Sequence, residues 1–236
     1  MGFGIIAGIM VVVVVIWLAA NSQRRKAQSK EPVLSQRSLA DILAKDFHSS
    51  VRSAIAGNPN TPVYLLEQLA NDEDAVVRGF VARNPNAPGA LLEKLSYDEN
   101  SIPRNGVAMN THTPGRVLSE LAQRTLDSRW PGYEIAKNPS TPPETLELLV
   151  SKRRSEVALN PSAPQHLLEQ LPEYVDMSQP QDGISMRHFV RSNVAQNPST
   201  PDYLLERLAF DAESSVRYGV EINPSTPPRC AQGHIR

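Results

Sequence analysis

Val190-Arg191-Ser192-Asn193-Val194-Ala195-Gln196-Asn197-Pro198-Ser199-Thr200-Pro201-Asp202-Tyr203-Leu204-Leu205-Glu206-Arg207-Leu208-Ala209 is one copy of a pattern that recurs along most of this chain. Its anchor is Asn197, and the equivalent asparagines are Asn58, Asn84, Asn110, Asn138, Asn160 and Asn223. Proline follows six of the seven (59, 85, 139, 161, 198 and 224), and Thr111 takes its place at the third. A second proline stands four residues after every asparagine: 62, 88, 114, 142, 164, 201 and 227. Thirteen of the 20 prolines therefore fall in two columns of one repeat, a coincidence that composition alone cannot produce. Three residues before each asparagine is a β-branched apolar residue (Ile55, Val81, Val107, Ile135, Val157, Val194, Val220). Leucines occupy the positions seven, eight and eleven residues after it, as in Leu65, Leu66 and Leu69 or Leu91, Leu92 and Leu95, with Val117 and Thr145 as mild departures.

Each column has a local meaning. In Thr61-Pro62, Thr113-Pro114, Thr141-Pro142, Thr200-Pro201 and Thr226-Pro227 the threonine predicts an N-cap, with proline as the first helical residue. The leucines then share one face of a helix of about ten residues. A polar turn such as Asn71-Asp72-Glu73-Asp74 ends it. A second, shorter helical segment follows, with Val77 and Val81 one turn apart. It stops at Asn-Pro, because a residue that precedes proline is pushed out of the α region, and the asparagine side chain is suited to cap the next turn. No alternating apolar run of useful length follows Asn21, so the predicted class is all-α.

One such repeat cannot fold alone. Its few apolar side chains contribute roughly 6–10 kcal/mol of burial. Ordering its backbone costs roughly 1–2 kcal/mol for every residue. Stacking on neighbours closes the gap, which predicts an α-solenoid of about seven two-helix repeats over residues 36–236. At roughly 8–10 Å per layer the expected body is on the order of 60–70 Å long. Leu39, Ile42 and Leu43 form a half-repeat suited to cap the first layer, whereas Cys230, Ala231 and His234 replace the leucines of the last.

The string Val-Arg-x-x-Val-Ala-x-Asn-Pro-x-Thr-Pro-x-x-Leu-Leu-x-x-Leu-Ala resembles the leucine-rich repeat variant family over about residues 36–236. The resemblance implies a right-handed superhelix of alternating α and 3₁₀ helices without a sheet. The family's founding type carries an N-terminal iron–sulfur cluster held by cysteines. This chain has one cysteine, Cys230, so that cofactor does not carry over. The family has no common catalytic residue, and fold does not imply function.

Outside the repeats, Phe3 to Ala20 is an unbroken run of apolar residues and glycine, about 27 Å as a helix and enough to cross a bilayer. Residues 1–22 are expected to form a transmembrane signal-anchor helix and 23–35 a basic juxtamembrane linker. A cleaved signal peptide is the rival, since Leu18-Ala19-Ala20 resembles a cleavage site, but such peptides carry their positive charge before the apolar run. Here Arg24-Arg25-Lys26 follows it, which places the repeats on the cytoplasmic side of the inner membrane, with the N-terminus outside. Gly4 and Gly8 have the spacing that lets two membrane helices pack as a weak homodimer, although glycine is common in such helices anyway. With 24 Lys+Arg against 25 Asp+Glu and most of the local basic excess beside the apolar run, the repeats are net acidic, which argues against a nucleic-acid partner.

Candidate binding residues come from one more column. Six residues before the asparagine stands arginine: Arg52, Arg78, Arg104, Arg154, Arg191 and Arg217, with Gly132 at the fourth repeat. Guanidinium forks suit carboxylates and phosphates, so the column reads either as a grip on an acidic partner, phosphate or anionic lipid, or as internal pairing with acidic turns at Asp46, Asp72, Asp74, Asp98, Asp211 and Glu213 or with backbone carbonyls of an adjacent layer. An acidic column (Glu67, Glu93, Glu147, Glu169, Glu206) reads as a solvated helix face. Extra residues around 172–187, including Tyr174, Met177 and Asp182, form an insertion suited to a partner or merely tolerated as a loop. Lys152-Arg153-Arg154 and the aromatics Trp130 and Tyr133 suggest either a cation–aromatic patch or a solvated turn. The five histidines occur singly, and no HExxH, GxSxG or phosphate-loop spacing is present, so the expectation is no catalytic site, no metal and no cofactor. The expected role is a membrane-anchored, non-catalytic scaffold or adaptor for protein–protein interaction. The alternatives are an exported or periplasmic repeat protein that contacts envelope components, and a small-anion sensor.

Overall fold

The computed structural model describes residues 40–126, 131–173 and 183–231. The apolar segment 3–20, with Gly4 and Gly8, lies outside the described residues, as do Trp130, Tyr174, Met177 and Asp182. No described helix is long and apolar enough to cross a membrane. Among the described residues there is no strand. The elements in order are α1 (Ser49–Gly57), α2 (Val63–Leu69), α3 (Ala75–Arg83), α4 (Gly89–Ser96), α5 (Ser101–Met109), α6 (Gly115–Thr125), α7 (Gly132–Lys137), α8 (Pro143–Leu149), α9 (Arg154–Leu159), α10 (Gln165–Gln170), a 3₁₀ turn (Leu171–Glu173), α11 (Gly183–Gln196), α12 (Asp202–Leu208), α13 (Ser214–Ile222) and α14 (Pro228–Ala231). The described residues up to Val117 form one compact unit, and those from Leu118 a second.

Two expectations about the helices need correction. Proline is not the first helical residue but the cap: Pro62, Pro88, Pro164 and Pro201 hold φ near −60° with ψ between 145 and 149°. The ring fixes φ, the extended ψ turns the chain, and the Pro62 carbonyl then accepts from the Leu65 and Leu66 amides at 3.0 and 3.2 Å. The leucine helices consequently start one residue later, and they run seven residues in α2, α8 and α12 but eleven in α6. The second helices run nine residues in α1, α3, α5 and α13 but only six in α7 and α9. The single 3₁₀ helix among the described residues is Leu171–Glu173, so the alternation of α and 3₁₀ helices implied by the family resemblance is not found there.

The expected stop signal holds. Asn58, Asn84, Asn160 and Asn223 end their helices with ψ between 121 and 127°, out of the α region, as the following proline demands. Within the first unit α3 packs between α1 and α5, and within the second α11 packs between α9 and α13. Leu65, Leu66, Leu69, Leu92 and Leu95 are fully buried beneath the first of these rows, and Leu146, Leu149, Leu168 and Leu204 beneath the second. Thr145, the departure from the leucine column, is also buried, and its hydroxyl is matched at 2.6 Å by Ser119 Oγ.

Glycine sets how closely the second-row helices approach. A Cβ on Gly106 of α5 would sit 2.7 Å from both Ala82 Cβ and the Gly79 carbonyl oxygen of α3. Gly219 of α13 has the same relation to α11, with Ala195 Cβ and the Ser192 carbonyl oxygen both at 2.9 Å. At these crossings backbone lies directly on backbone, a contact that leaves no room for a side chain.

Candidate functional site

The arginine column joins successive helix junctions. Arg52 presents its Nε–Nη2 edge to the Asp72 carboxylate at 2.6 and 2.8 Å, while Nη1 donates to the Asp46 and Phe47 carbonyls at 2.8 and 3.2 Å. Arg78 does the same one repeat later, with Asp98 at 2.7 and 2.9 Å and the carbonyls of Asp72 and Glu73 at 2.8 and 3.1 Å. In the second unit Arg191 clamps Asp211 at 2.7 and 3.1 Å, and Arg217 Nη1 reaches the Asp211 and Ala212 carbonyls at 2.7 and 2.8 Å. Every clamped aspartate is 20 residues beyond its arginine. Arg52, Arg78 and Arg217 thus hold the turn before their own helix, and Arg52, Arg78 and Arg191 hold the turn that follows. The side chains of Arg52 and Asp72 are 9 and 8% exposed, so this pair is closed to an outside anion.

The electrostatics follow from that geometry. Burial pushes the Asp72, Asp98 and Asp211 carboxyls up, but the guanidinium hydrogen bonds and the amides of Asp74, Asn100 and Glu213 pull harder, so all three lie below the usual carboxylate value. Asp72 and Asp98 in return raise Arg52 and Arg78.

Arg104 departs from this arrangement. Its Nη1 holds the expected carbonyls, Asp98 at 2.5 Å and Glu99 at 2.8 Å, but the buried Nε meets no acceptor among the described residues. Arg154 opens α9, and the neighbouring Arg153 lies beside Gly132, whose Cβ position is 3.6 Å from Arg153 Nε. Tyr133 takes its cation from Lys137 of its own helix, 4.9 Å from the ring centre.

The asparagine column does more than stop helices. Asn84 Nδ2 donates to the Ala56 and Asn58 carbonyls of the preceding repeat at 2.7 and 2.8 Å, and its Oδ1 accepts from the Asn86 amide at 2.9 Å. Asn110, Asn160, Asn197 and Asn223 make the same pair of backward bonds, all between 2.7 and 2.9 Å. Threonine departs from the capping expectation. Thr61, Thr113, Thr141 and Thr200 donate back to the carbonyl six residues earlier, Ile55, Val107, Ile135 and Val194, at 2.5–2.6 Å, and Thr226 does so to Val220. With proline extended at the cap, the threonine hydroxyl points at the end of the preceding helix and closes that helix instead.

The acidic column is also cross-linked rather than simply solvated. Arg116 pairs with Glu93, His166 with Glu147, Tyr203 with Glu169 and Arg229 with Glu206. The partner always stands six residues after one asparagine and the glutamate nine residues after the previous one. Comparing columns between neighbouring repeats, rather than down a single column, would have revealed this in the sequence.

What remains uncommitted is on the outer side of the second-row helices. Val76, Phe80, Ile102 and Met109 are large apolar side chains exposed by 37–45%. Val76 and Phe80, with Ser49, Ser50, Ser53, Ala54, Gly57 and Asp74, line an open groove of about 570 Å³ between α1 and α3. Among the described residues, no group of three or more His, Cys, Asp or Glu is placed to share a metal ion.

Residues 75–100 match the family model of the leucine rich repeat variant. No curated protein matches the chain. A solved structure described as "a leucine-rich repeat variant with a novel repetitive protein structural motif" is similar over 82% of this chain and 78% of that one, at 22% identity and a TM-score of 0.48. The matched segment is one of seven copies of the same columns. That segment is thus similar to a leucine rich repeat variant repeat, and its columns recur along the chain.

Proposed function

We propose that this repeat protein is a non-catalytic scaffold that holds a protein partner at the cytoplasmic face of a membrane. One observation carries the reading. The residue types common to the repeats are used between repeats, whereas the outer face of α1, α3 and α5 differs from repeat to repeat and leaves Val76, Phe80, Ile102 and Met109 exposed. A face that varies on a uniform frame is the arrangement by which repeat proteins recognise partners. Membrane attachment is supported by the uncharged run from Phe3 to Ala20 and the Arg24-Arg25-Lys26 cluster after it.

Two measurements test the two halves separately. A photo-crosslinking residue at position 102, used in growing cells, is expected to give one discrete adduct that is lost with Phe80→Asp. A smear of many products, or none, overturns the scaffold reading. An alkaline phosphatase fusion at the C-terminus is expected to be inactive and a fluorescent-protein fusion bright; an active phosphatase overturns the cytoplasmic placement.

A further inference from the structure

We infer that the groove between α1 and α3 takes a basic segment of the partner protein, one in which Lys or Arg stands beside a bulky apolar residue. The inference rests on the scaffold reading and names the chemistry of the partner. Ala54, Gly57, Val76 and Phe80 give the groove its apolar lining, with Val76 42% and Phe80 38% exposed. Asp74, the cap of α3, lines it as well. Its carboxylate accepts from the Ser49 hydroxyl and, at 2.8 Å, from the Val76 amide, which hold it below the usual carboxylate value and so charged at neutral pH.

The charges of the turns before α3 and α5 are of one sign. Asp72, Glu73, Asp74, Asp98 and Glu99 stand there without a cation of their own. Arg52 and Arg78 are closed on Asp72 and Asp98, which leaves Glu73, Asp74 and Glu99. The Glu73 side chain is 90% exposed, and Arg52 Nη2 is 3.6 Å away. Arg83, the exposed cation of α3, is at the opposite end of that helix, and the turn before α1 is mixed, with Lys45 beside Asp46 and His48. Ser53 adds a polar group inside the groove. It is 6% exposed, and among the described residues its hydroxyl has no hydrogen-bond partner. The equivalent Ser192 donates at 3.0 Å to the Ser215 carbonyl of the next repeat; Ser53 makes no such bond to Val76, which holds the same place. A buried hydroxyl is ordinarily bonded, and a bound backbone would supply the missing group. A purely apolar segment would bury the Asp74 charge without a counter-ion, and an acidic one would meet like charge. A Lys or Arg side chain satisfies both surfaces, its stem along Val76 and Phe80 and its head at Asp74 and Glu73.

A photo-crosslinking residue at position 50, in the full chain in growing cells, tests the inference, with the attached segment read by mass spectrometry. The expected segment belongs to another protein and carries Lys or Arg next to a bulky apolar residue. Attachment to residues 1–39 of the same chain, to a second copy, to lipid, or to a segment without a basic residue overturns the inference. Asp74→Asn combined with Glu73→Gln removes the charge and keeps the cap, since Asn100 does the same work one repeat later, accepting from the Ile102 amide at 2.9 Å. This variant is expected to lower the adduct yield about three- to tenfold with an unchanged Tm. Glu73→Lys repeats the test without touching the cap and is expected to lose at least as much. Adducts at positions 50 and 102 that persist undiminished in both variants overturn the inference and leave the scaffold reading standing. No adduct at either position overturns both.

Discussion

Asn84 shows how much one side chain does in this fold. It is 1% exposed, and all three of its hydrogen-bonding positions are filled, two of them by carbonyls of another repeat. Asn84→Ala is expected to lower stability by about 2–4 kcal/mol, since it leaves buried carbonyls without donors. Asn84→Asp should be worse, because a carboxylate has no proton to offer them; urea denaturation of both variants checks the order. The Arg78–Asp98 pair adds a pH dependence. Asp98 ionises below its ordinary value in the folded state, so its stabilisation is complete above the unfolded carboxyl's range and is lost as pH falls through the lowered folded value. Asp98→Asn is expected to cost about 3 kcal/mol at neutral pH and to flatten the decline in stability below about pH 5, measured by urea titrations at a series of pH values. The asparagine column was readable in the sequence as a helix stop, because a residue before proline has few options. Its backward bonds were not, because nothing in a single repeat says which carbonyls face it. The threonines were misread for a related reason: the same residue serves as a forward cap or a backward bond, and the extended ψ of the following proline decides which.

At the scale of the helix, glycine gives two predictions of opposite sign. Gly106→Ala gains helix propensity worth about 1 kcal/mol but places a methyl 2.7 Å from the Gly79 carbonyl oxygen, which cannot move without moving α3. The clash wins, and Gly106→Ala is expected to be destabilised by about 1–3 kcal/mol. Gly132→Ala is expected to be neutral or to gain a few tenths to about 1 kcal/mol, because its Cβ would first meet the end of the Arg153 side chain at an ordinary 3.6 Å. Calorimetric Tm values for the two variants against wild type separate the cases. The leucine spacing made the helices legible as elements, whereas their lengths were misjudged by treating proline as the first helical residue. The outward pairs between α4 and α6 (Glu93 with Arg116) or α10 and α12 (Glu169 with Tyr203) were missed because each needs two repeats to be compared at different positions.

For the molecule as a whole, the repeat count and the all-helical class came directly from the columns, since burial per repeat is too small for one to stand alone. In such a chain each repeat is supported by its neighbours, so damage stays local. Asn223→Ala is expected to speed amide hydrogen exchange in α13 and α14 and to leave α1 to α3 at wild-type protection, read by mass spectrometry. Rapid exchange throughout would count against neighbour-only coupling. The bonds between repeats also tolerate what lies between them: Asn197 reaches the Ala158 and Asn160 carbonyls at 2.7 and 2.8 Å even though 37 residues separate the two asparagines, against 26 between Asn58 and Asn84. A gene for this protein can therefore gain or shed a whole cassette by unequal crossing-over and still encode matching fasteners at the new seam. A deletion of a few codons inside the stretch from arginine to its aspartate would instead pull those two residues out of register.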